Sequence, residues 1–266
     1  MIDFHSHIIH GVDDGAKSLN MSLEMLKIAE NEGVEYICAT PHFITEEFEI
    51  SRSEYIEKLD KLVTASREES FNIKILSGLE IYMHPNLPKL YKEKKIWGIN
   101  DSEYLLIELP MGQFPMYTED VFYELMLLGA KPILAHPERN LKIMKNHDLI
   151  INLINQGVMM QINAGSLLGD YGKEIKKTAQ EFLKSNMIHI LGSDGHNIIS
   201  RKTKLKEAYT MVENANEKVY NWIIENQTNI INNVSGMEFL ELKLKKSKGK
   251  ISFFNIFKWI SNKVAR

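Results

Sequence analysis

Short apolar runs recur along the chain, and segments of amphipathic, helical character separate them. Each run is continuously apolar rather than alternating, which is typical of strands buried on both faces of a parallel sheet. Strands that alternate with helices form right-handed βαβ units, and seven such units close most simply into an α/β barrel. The predicted strands cover residues 2–5, 36–40, 73–78, 104–109, 131–136, 159–164 and 188–193.

The segment after the first predicted strand has the pattern of an amphipathic helix. Ser18 or Asn20 can cap its start, and Met25 and Ala29 share one face at helical spacing. Gly33 stands where a C-terminal glycine belongs. We therefore expect the methionines of this segment in the core rather than around a cofactor.

The composition indicates one soluble domain. The chain has 266 residues, an apolar fraction of 44% and a formal net charge of −3, and a single α/β barrel of about 250 residues fits this length. The sequence contains no run of eighteen apolar residues and no signal-peptide pattern, so we expect a cytoplasmic protein. The charge balance gives no support to nucleic-acid binding.

Cys38 is the only cysteine of the chain. It excludes an internal disulfide and a zinc cluster built from several thiolates of this chain. A phosphatase with a cysteine nucleophile would carry an arginine at the end of the loop that follows the cysteine, and Ile44 stands at the matching position. We therefore interpret Cys38, which lies in an apolar run, as a core residue.

Histidines and acids collect where the predicted strands end, and an α/β barrel places its chemistry at these C-terminal ends. Side chains two residues apart in a strand point to the same face, as His5 and His7 would. The eight candidate donors are His5, His7, Asp14, His42, Glu80, His136, Asp194 and His196. Since one ion uses about four to six protein ligands, this number predicts at least two ions. Imidazole and carboxylate without sulfur suit Mn²⁺, Fe or Zn²⁺.

Two arginines accompany these donors. Arg139 follows His136 by three residues and Arg201 follows His196 by five, so both would stand on the same rim. A planar guanidinium is the usual partner for a pair of phosphate oxygens. The pattern predicts metal-assisted hydrolysis of a phosphate ester, in which hydroxide held between two ions attacks phosphorus while Arg139 and Arg201 neutralise its oxygens.

Several motifs in this order resemble the polymerase-and-histidinol-phosphatase (PHP) superfamily. They are "DFHSH", "DDG", "TPH", "GLEI", "AHPER", "INAGSL" and "SDGHN", and they extend over residues 1 to about 235. The opening "MIDFHSHI", the "VDDG" that follows and the pair "AHPER" and "SDGHN" are the specific parts. They are most similar to the bacterial protein-tyrosine-phosphatase branch found in capsule and exopolysaccharide loci.

The resemblance implies a distorted (β/α)7 barrel that holds three metal ions, most commonly manganese. It implies that the eight donors are the ligands, with Glu80 and Asp194 as bridges, and that Arg139 and Arg201 bind the phosphoryl group. It also implies a phosphotyrosine substrate on a membrane-associated bacterial tyrosine kinase of polysaccharide export. All of these residue types are intact in this chain.

Three other functions use a similar rim. A histidinol-phosphatase or another small-molecule phosphatase would use the same metal ligands, and a PHP module can also serve as a non-catalytic scaffold. An amidohydrolase barrel would add a bridging lysine, and the acids and arginines here fit phosphate better. For a general acid, Glu108 or a rim histidine is available, although Glu108 can equally be a structural acceptor.

The C-terminal end of the chain predicts a feature separate from the barrel. We divide the chain into a catalytic barrel at residues 1–240 and a basic amphipathic tail at 241–266. Within 243–266 the apolar positions that share one helical face are Phe253, Ile256, Phe257, Ile260 and Val264. Such a helix either packs on the barrel or across a dimer, or binds an anionic membrane surface. The latter would hold a cytoplasmic enzyme at the inner face of the membrane.

Overall fold

Parallel strands and the helices between them form the core of this computed structural model, which describes residues 1–244. The strands are β1 (Ile2–Ser6), β2 (Tyr36–Ala39), β3 (His42–Phe43), β4 (Lys74–Ser77), β5 (Glu80–Tyr82), β6 (Tyr104–Glu108), β7 (Lys131–Ala135), β8 (Met159–Asn163) and β9 (Ile190–Gly192). The helices are α1 (Leu19–Asn31), α2 (Arg52–Glu68), α3 (Leu87–Lys92), α4 (Thr118–Leu127), α5 (Asp148–Gln156), α6 (Ala164–Leu168), α7 (Lys173–Lys184), α8 (Lys206–Ala215) and α9 (Glu217–Ile231). Short 3₁₀ turns cover Ile99–Asp101 and Pro137–Arg139.

The nine strands of residues 1–244 form a closed barrel with seven strand positions, because two of these positions each contain two short strands. β2 continues into β3 and β4 into β5, each after a break of two residues. β2 pairs with β1 and β4, whereas the strands beyond the breaks pair in the order β3-β5-β6-β7-β8-β9. The barrel closes between β9 and β1, where Asp194 N donates to His5 O at 2.8 Å and His7 N donates to Gly195 O at 2.9 Å. The predicted distorted barrel is confirmed, and the two interrupted strands are part of its distortion.

A tyrosine hydroxyl occupies the two breaks. Tyr55 on α2 is fully buried; its hydroxyl donates to Ala39 O at 2.7 Å and accepts from Gly78 N at 3.0 Å. These bonds satisfy backbone groups where the strands lose their ladder partners. Beyond the breaks, His42 lies opposite Glu80 in the β3–β5 register. The sequence placed His42 and Glu80 just after two strand ends, whereas each of them begins a new short strand.

Helix α1 begins and ends as its pattern predicts. Ser18 rather than Asn20 is the N-cap, because its hydroxyl accepts a backbone N–H of the first turn at 3.2 Å. Gly33 follows the helix at φ +85°, which glycine adopts without strain. Met25 and Ala29 are fully buried, so this methionine belongs to the core, as expected.

The close approach of β9 to β1 depends on a glycine. A Cβ atom added at Gly192 would lie 2.5 Å from the Cβ of His5 and 2.9 Å from Nε2 of Gln161. Any larger residue would therefore push the neighbouring strands apart. Gly192 thus allows β9 to pass close to His5 on β1 and to Gln161 on β8, whose side chain bonds to His5.

The segment after α9 crosses the end of the barrel where the strands begin. Tyr104 donates its hydroxyl to Val234 O at 2.6 Å, and Asn186 donates to Glu241 O at 2.7 Å. Lys243 N also donates to Ser185 O at 3.1 Å, so ordered contacts extend past the boundary predicted at residue 240, which stays a prediction. The apolar face predicted for the tail lies outside the described residues. Within residues 1–244, no helix combines the length and apolar character needed to cross a membrane.

Candidate metal centre and active site

Glu80 is the centre of a group of four histidines at the C-terminal end of the barrel. Its Oε2 atom lies 3.1 Å from His5 Nε2, 3.2 Å from His7 Nε2 and 3.0 Å from His42 Nδ1. Its Oε1 atom lies 2.7 Å from His136 Nε2. Glu80 itself is only 1% exposed. Residues from β1, β3, β5 and the end of β7 therefore converge on one buried carboxylate.

Asp194 and Asp14 extend this group to the remaining predicted donors. Asp194 Oδ1 lies 3.7 Å from His5 Nε2 and 3.5 Å from His7 Nε2, and it lies 3.4 Å from His196 Nδ1. Asp14 Oδ1 lies 3.2 Å from His196 Nε2. All eight residues that the sequence proposes as ligands thus lie in one connected cluster.

The hydrogen bonds of His5 and His7 determine which nitrogen carries the proton in each neutral ring. His5 Nδ1 lies 3.0 Å from Gln161 Oε1, and His7 Nδ1 lies 2.7 Å from Asp13 Oδ2. Both partners are acceptors, so each Nδ1 donates and each Nε2 keeps a lone pair. The two Nε2 atoms lie 3.1 Å apart and face Glu80. Lone pairs at this distance repel unless a cation or a proton lies between them, so the donor set fits a metal ion.

The charges around the cluster shift several pKa values. Burial lowers the pKa of His42, but the Glu80 and Glu108 carboxylates outweigh burial and raise it to about 10. Burial likewise lowers the pKa of His7, but surrounding carboxylates, first of all Asp13, hold it well above its usual value. Burial raises the pKa of Glu80, yet His5 and His42 hold it well below its usual range. In the metal-free protein, protons carry the positive charge that the carboxylates demand, and a cation would replace them.

Three overlapping sets of side chains bring ligand atoms close enough to hold an ion. The sets share His7, His42 and Glu80, and of these Glu80 has two carboxylate oxygens that could serve neighbouring ions. They are His7 with Asp14, His42 and His196; His5 with His7 and Glu80; and His42 with Glu80 and Glu108. Buried atoms without a hydrogen-bond partner include Glu80 Oε2, His42 Nδ1 and His196 Nε2. These atoms have lone pairs that hydrogen bonds do not use, so they could bind metal ions.

Both predicted phosphate-binding arginines contact one carboxylate of the cluster. Arg139 Nη1 lies 2.7 Å from Asp194 Oδ2, and Arg201 Nη2 lies 2.6 Å from Asp194 Oδ1. Asn163 Nδ2 also donates to Asp194 Oδ2 at 2.7 Å. Burial raises the pKa of Asp194, but the charge of His5, the contact with His7 and the Arg201 guanidinium hold it well below its usual range. The guanidinium groups therefore lie at the edge of the donor cluster.

Local backbone structure aims these side chains. His136 and Asp194 adopt left-handed φ values of 32° and 53°, a strained conformation that turns residues at strand ends toward the barrel axis. Asn197 Oδ1 accepts the backbone N–H groups of Ile199, Ser200 and Arg201 at 2.9, 2.8 and 3.2 Å. This tight loop brings Arg201 back over Asp194.

Four residues of the site were missed or left open by the sequence. Asp13 supports His7, although only Asp14 was chosen from the "DDG" motif. Gln161 and Asn163 link His5 to Asp194, and Gln161 Nε2 donates to Asn163 Oδ1 at 2.9 Å. Their two-residue spacing in an apolar strand is the same signal that identified His5 and His7. Glu108, left open as an acid or a structural acceptor, lies 3.2 Å from His42 Nδ1.

Cys38 takes no part in this cluster. It is fully buried in β2, and burial holds the pKa of its thiol well above the ordinary value. A buried thiol of this kind forms little thiolate and is a poor nucleophile. Its interpretation as a core residue agrees with this position.

Residues 1–232 match the family model described as capsular polysaccharide synthesis, CpsB/CapC. The chain is 42% identical over 209 residues to CapC of Staphylococcus aureus, and the matched region covers 79% of this chain and 82% of CapC. It is 35% identical over 213 residues to the tyrosine-protein phosphatase YwqE of Bacillus subtilis (strain 168), with 80% and 84% covered. It is 32% identical over 241 residues to the tyrosine-protein phosphatase CpsB of Streptococcus agalactiae, with 88% and 99% covered.

A solved structure is similar over almost the whole chain. It comes from the crystal structures of YwqE from Bacillus subtilis and CpsB from Streptococcus pneumoniae, which are described as metal-dependent tyrosine phosphatases. The TM-score is 0.87 at 32% identity, with 92% of this chain and 100% of that chain covered. The similarity therefore includes both the barrel and the rim that carries the donor cluster.

Proposed function

Because this chain belongs to the CpsB/CapC family of capsular polysaccharide synthesis, we propose that it is a metal-dependent protein-tyrosine phosphatase. The resemblance drawn from the motifs is confirmed by this membership. The named relatives are tyrosine phosphatases, so the small-molecule phosphatase and the scaffold are not favoured. The reaction is the hydrolysis of a phosphoric monoester.

The observation that carries this proposal is the position of two arginines beside a buried donor cluster. Each guanidinium has five N–H donors, of which one contacts Asp194 in each arginine. Among the other N–H groups, those at the ends of the two side chains can bind the oxygens of a phosphoryl group next to that carboxylate. Arg139 and Arg201 would therefore bind the phosphoryl group and neutralise the charge that its oxygens gain in the transition state.

We propose that the eight predicted donors hold three ions, with Glu80 and Asp194 as bridges and Glu108 as a further ligand. Mn²⁺ is our first choice because the donors are imidazoles and carboxylates without a thiolate, and Fe or Zn²⁺ suits the same set. When bound, such ions supply a water molecule of lowered pKa as nucleophile and positive charge near the phosphoryl oxygens. Asp13 and Gln161 hold His7 and His5 with their Nε2 lone pairs toward the cluster.

The leaving group explains why the site needs little acid catalysis. A tyrosine phenol has a pKa of about 10, so its anion leaves more readily than an alkoxide. Glu108 lies among the donors, 3.2 Å from His42 Nδ1 and 3.8 Å from His136 Nε2. We therefore assign Glu108 to the metal-binding cluster and not to proton donation.

For the partner, we propose phosphotyrosine on a membrane-associated bacterial tyrosine kinase of polysaccharide export. The capsular polysaccharide description of the family supports this choice. The basic amphipathic pattern at 243–266 would then bring the enzyme to anionic lipid near its substrate. Sedimentation with anionic liposomes should distinguish the full chain from a version that ends at Leu244. Equal binding by both would remove the tail from this account.

The activity is tested by offering two substrates to the same preparation. After chelation and reloading with Mn²⁺, the protein should hydrolyse a phosphotyrosyl peptide far better than histidinol phosphate. Omission of the metal should abolish both reactions. A preference for histidinol phosphate would assign the chain to small-molecule hydrolysis, and inactivity on every ester with metal bound would favour a scaffold.

A further inference from the structure

Tyr171 is an aromatic residue that lies beside the two arginines of the site. Its ring lies against the Arg139 guanidinium, with Cζ 4.6 Å from the ring centroid. Arg201 lines the same small cavity as this tyrosine. We propose that Tyr171 is a positioning residue that holds Arg139 in the orientation that binds the phosphoryl group. The proposal rests on the phosphatase function proposed above.

The stacked arrangement leaves the arginine free to bind an anion. A guanidinium stacks through its flat face, whereas its N–H donors point outward in its own plane. A carboxylate partner such as Asp194 instead occupies those donors and competes with a phosphate oxygen. Tyr171 can therefore restrict the long arginine side chain without using the groups that recognise the substrate, which lowers the ordering cost of binding.

A glycine in the "INAGSL" motif provides the space for this ring. A Cβ atom added at Gly165, on α6, would lie 3.1 Å from Cε2 of Tyr171 and 3.1 Å from Oδ2 of Asp170. Such distances are tighter than ordinary van der Waals contact, so the ring and the Asp170 carboxylate would each have to shift by a few tenths of an ångström. The ring thus lies close to Gly165 and against the Arg139 guanidinium. This gives the motif a role in the site although it supplies no metal ligand.

The surroundings of Tyr171 differ from those of a tyrosine that only fills the core. The fully buried Tyr55 bonds to backbone groups at strand breaks, whereas Tyr171 is partly exposed. It lines a cavity of about 280 Å³ together with Ser193 and Arg201. Its contact with Arg139 is therefore made at a partly exposed position.

The experiment uses the metal-loaded full chain and two substitutions of this tyrosine. Tyr171→Leu removes the ring and should lower kcat/KM for a phosphotyrosyl peptide about tenfold or more, and it should raise the Ki of inorganic phosphate. Tyr171→Phe keeps the ring and should stay within about threefold of the wild type. Metal content and Tm should change little in both variants. A loss in Tyr171→Phe as large as that in Tyr171→Leu would overturn the stacking proposal.

A matched control and a double-mutant cycle separate positioning from general packing. Tyr36→Leu makes the same exchange at a partly exposed tyrosine whose ring also contacts a cation, Lys74, at the other end of the barrel, and it should leave kcat/KM unchanged. In an Arg139→Ala background, Tyr171→Leu should cost less than about twofold, because the residue through which it acts is gone. Equal losses with and without Arg139 would show that Tyr171 acts only as packing and would overturn the proposal.

Gly165→Ala provides a second route if Tyr171→Leu folds poorly. It should lower kcat/KM and raise the Ki of inorganic phosphate at unchanged metal content, because the displaced ring moves Arg139. Full activity in Gly165→Ala would contradict the packing described here. Failure of the phosphatase function would appear differently, as an inactive wild type with metal bound. An active wild type with unaffected Tyr171 variants would refute only the positioning role.

Discussion

Asp13 Oδ2 lies 2.7 Å from Nδ1 of His7, and the same oxygen accepts the backbone N–H of His42 at 3.0 Å. One buried carboxylate therefore orients the His7 ring just after β1 and the first residue of β3. The next residue, Asp14, has a 56% exposed side chain and instead approaches His196. Of the two adjacent acids in the "DDG" motif, Asp13 thus orients the ligands, whereas Asp14 is itself one of the donors.

Asp13→Ala should weaken metal binding about 10- to 100-fold, since partners that orient metal-bound histidines contribute to affinity in this range. The physical reason is that His7 loses the acceptor that keeps its proton on Nδ1. Titration of the chelated protein with Mn²⁺ measures the effect. Asp60→Ala, at an exposed position of α2, is the control. An unchanged Kd for Mn²⁺ would show that His7 does not depend on Asp13.

Gln161→Met should destabilise the metal-free protein by about 1 to 3 kcal/mol, because it leaves the buried His5 Nδ1–H without an acceptor. It should also weaken metal binding, whereas Gln161→Glu keeps the acceptor and should preserve more of the affinity. Denaturant unfolding and metal titration measure the two effects. Equal affinities in both variants would contradict the role given to Gln161.

Arg139→Ala and Arg201→Ala should keep bound metal and lose about 10²-fold or more in kcat/KM, since they act on the transferred phosphoryl group. His42→Ala and His136→Ala should lose metal together with rate. Elemental analysis beside steady-state kinetics distinguishes the two classes. Arg67→Ala, on the exposed end of α2, is the control. Normal hydrolysis by both arginine variants would refute the phosphate-binding assignment.

Removal of metal should abolish phosphatase activity, whereas a thiol-alkylating reagent should not. The eight donors form one cluster, and Cys38 is fully buried with a raised pKa. Iodoacetamide treatment of the native enzyme, with mass spectrometry to detect any modification, checks the second part. Activity that survives exhaustive chelation would contradict the mechanism, as would inactivation by alkylation of folded protein.

The pH dependence follows from His42. Burial lowers its pKa, but the Glu80 and Glu108 carboxylates raise it from the ordinary 6.5 to about 10 in the metal-free protein. The stabilisation from this protonated state is present in full below about pH 6.5 and is lost as the pH rises through about 10. The Tm of the metal-free protein should therefore fall across this interval.

Metal affinity should rise over the same interval, because binding displaces the protons that the histidines hold. Thermal unfolding and Mn²⁺ titration at several pH values between 6.5 and 10 measure both trends. In His42→Gln, the Tm and the affinity for Mn²⁺ should both depend less on pH. A Tm of the metal-free wild type that is constant over this range would refute the coupling.

The sequence by itself determined the barrel and the composition of its rim. Continuous apolar runs and alternate side-chain directions depend on neighbouring residues, so they can be recognised without knowledge of the fold. The spacing of His5 and His7, and the place of each donor at a strand end, then follow from barrel geometry. The "AHPER" and "SDGHN" motifs added the arginines and the family resemblance.

Only the tertiary structure decided how these residues support one another. Gln161 and His5 are 156 positions apart, and the pairing of Arg139 and Arg201 on Asp194 joins separate loops. The breaks that bring His42 opposite Glu80 depend on Tyr55 from a helix, and the ring of Tyr171 depends on space left by Gly165. Local patterns carry no information about which distant groups share a buried polar contact. That choice is made when the chain closes and every buried donor and acceptor must find a partner.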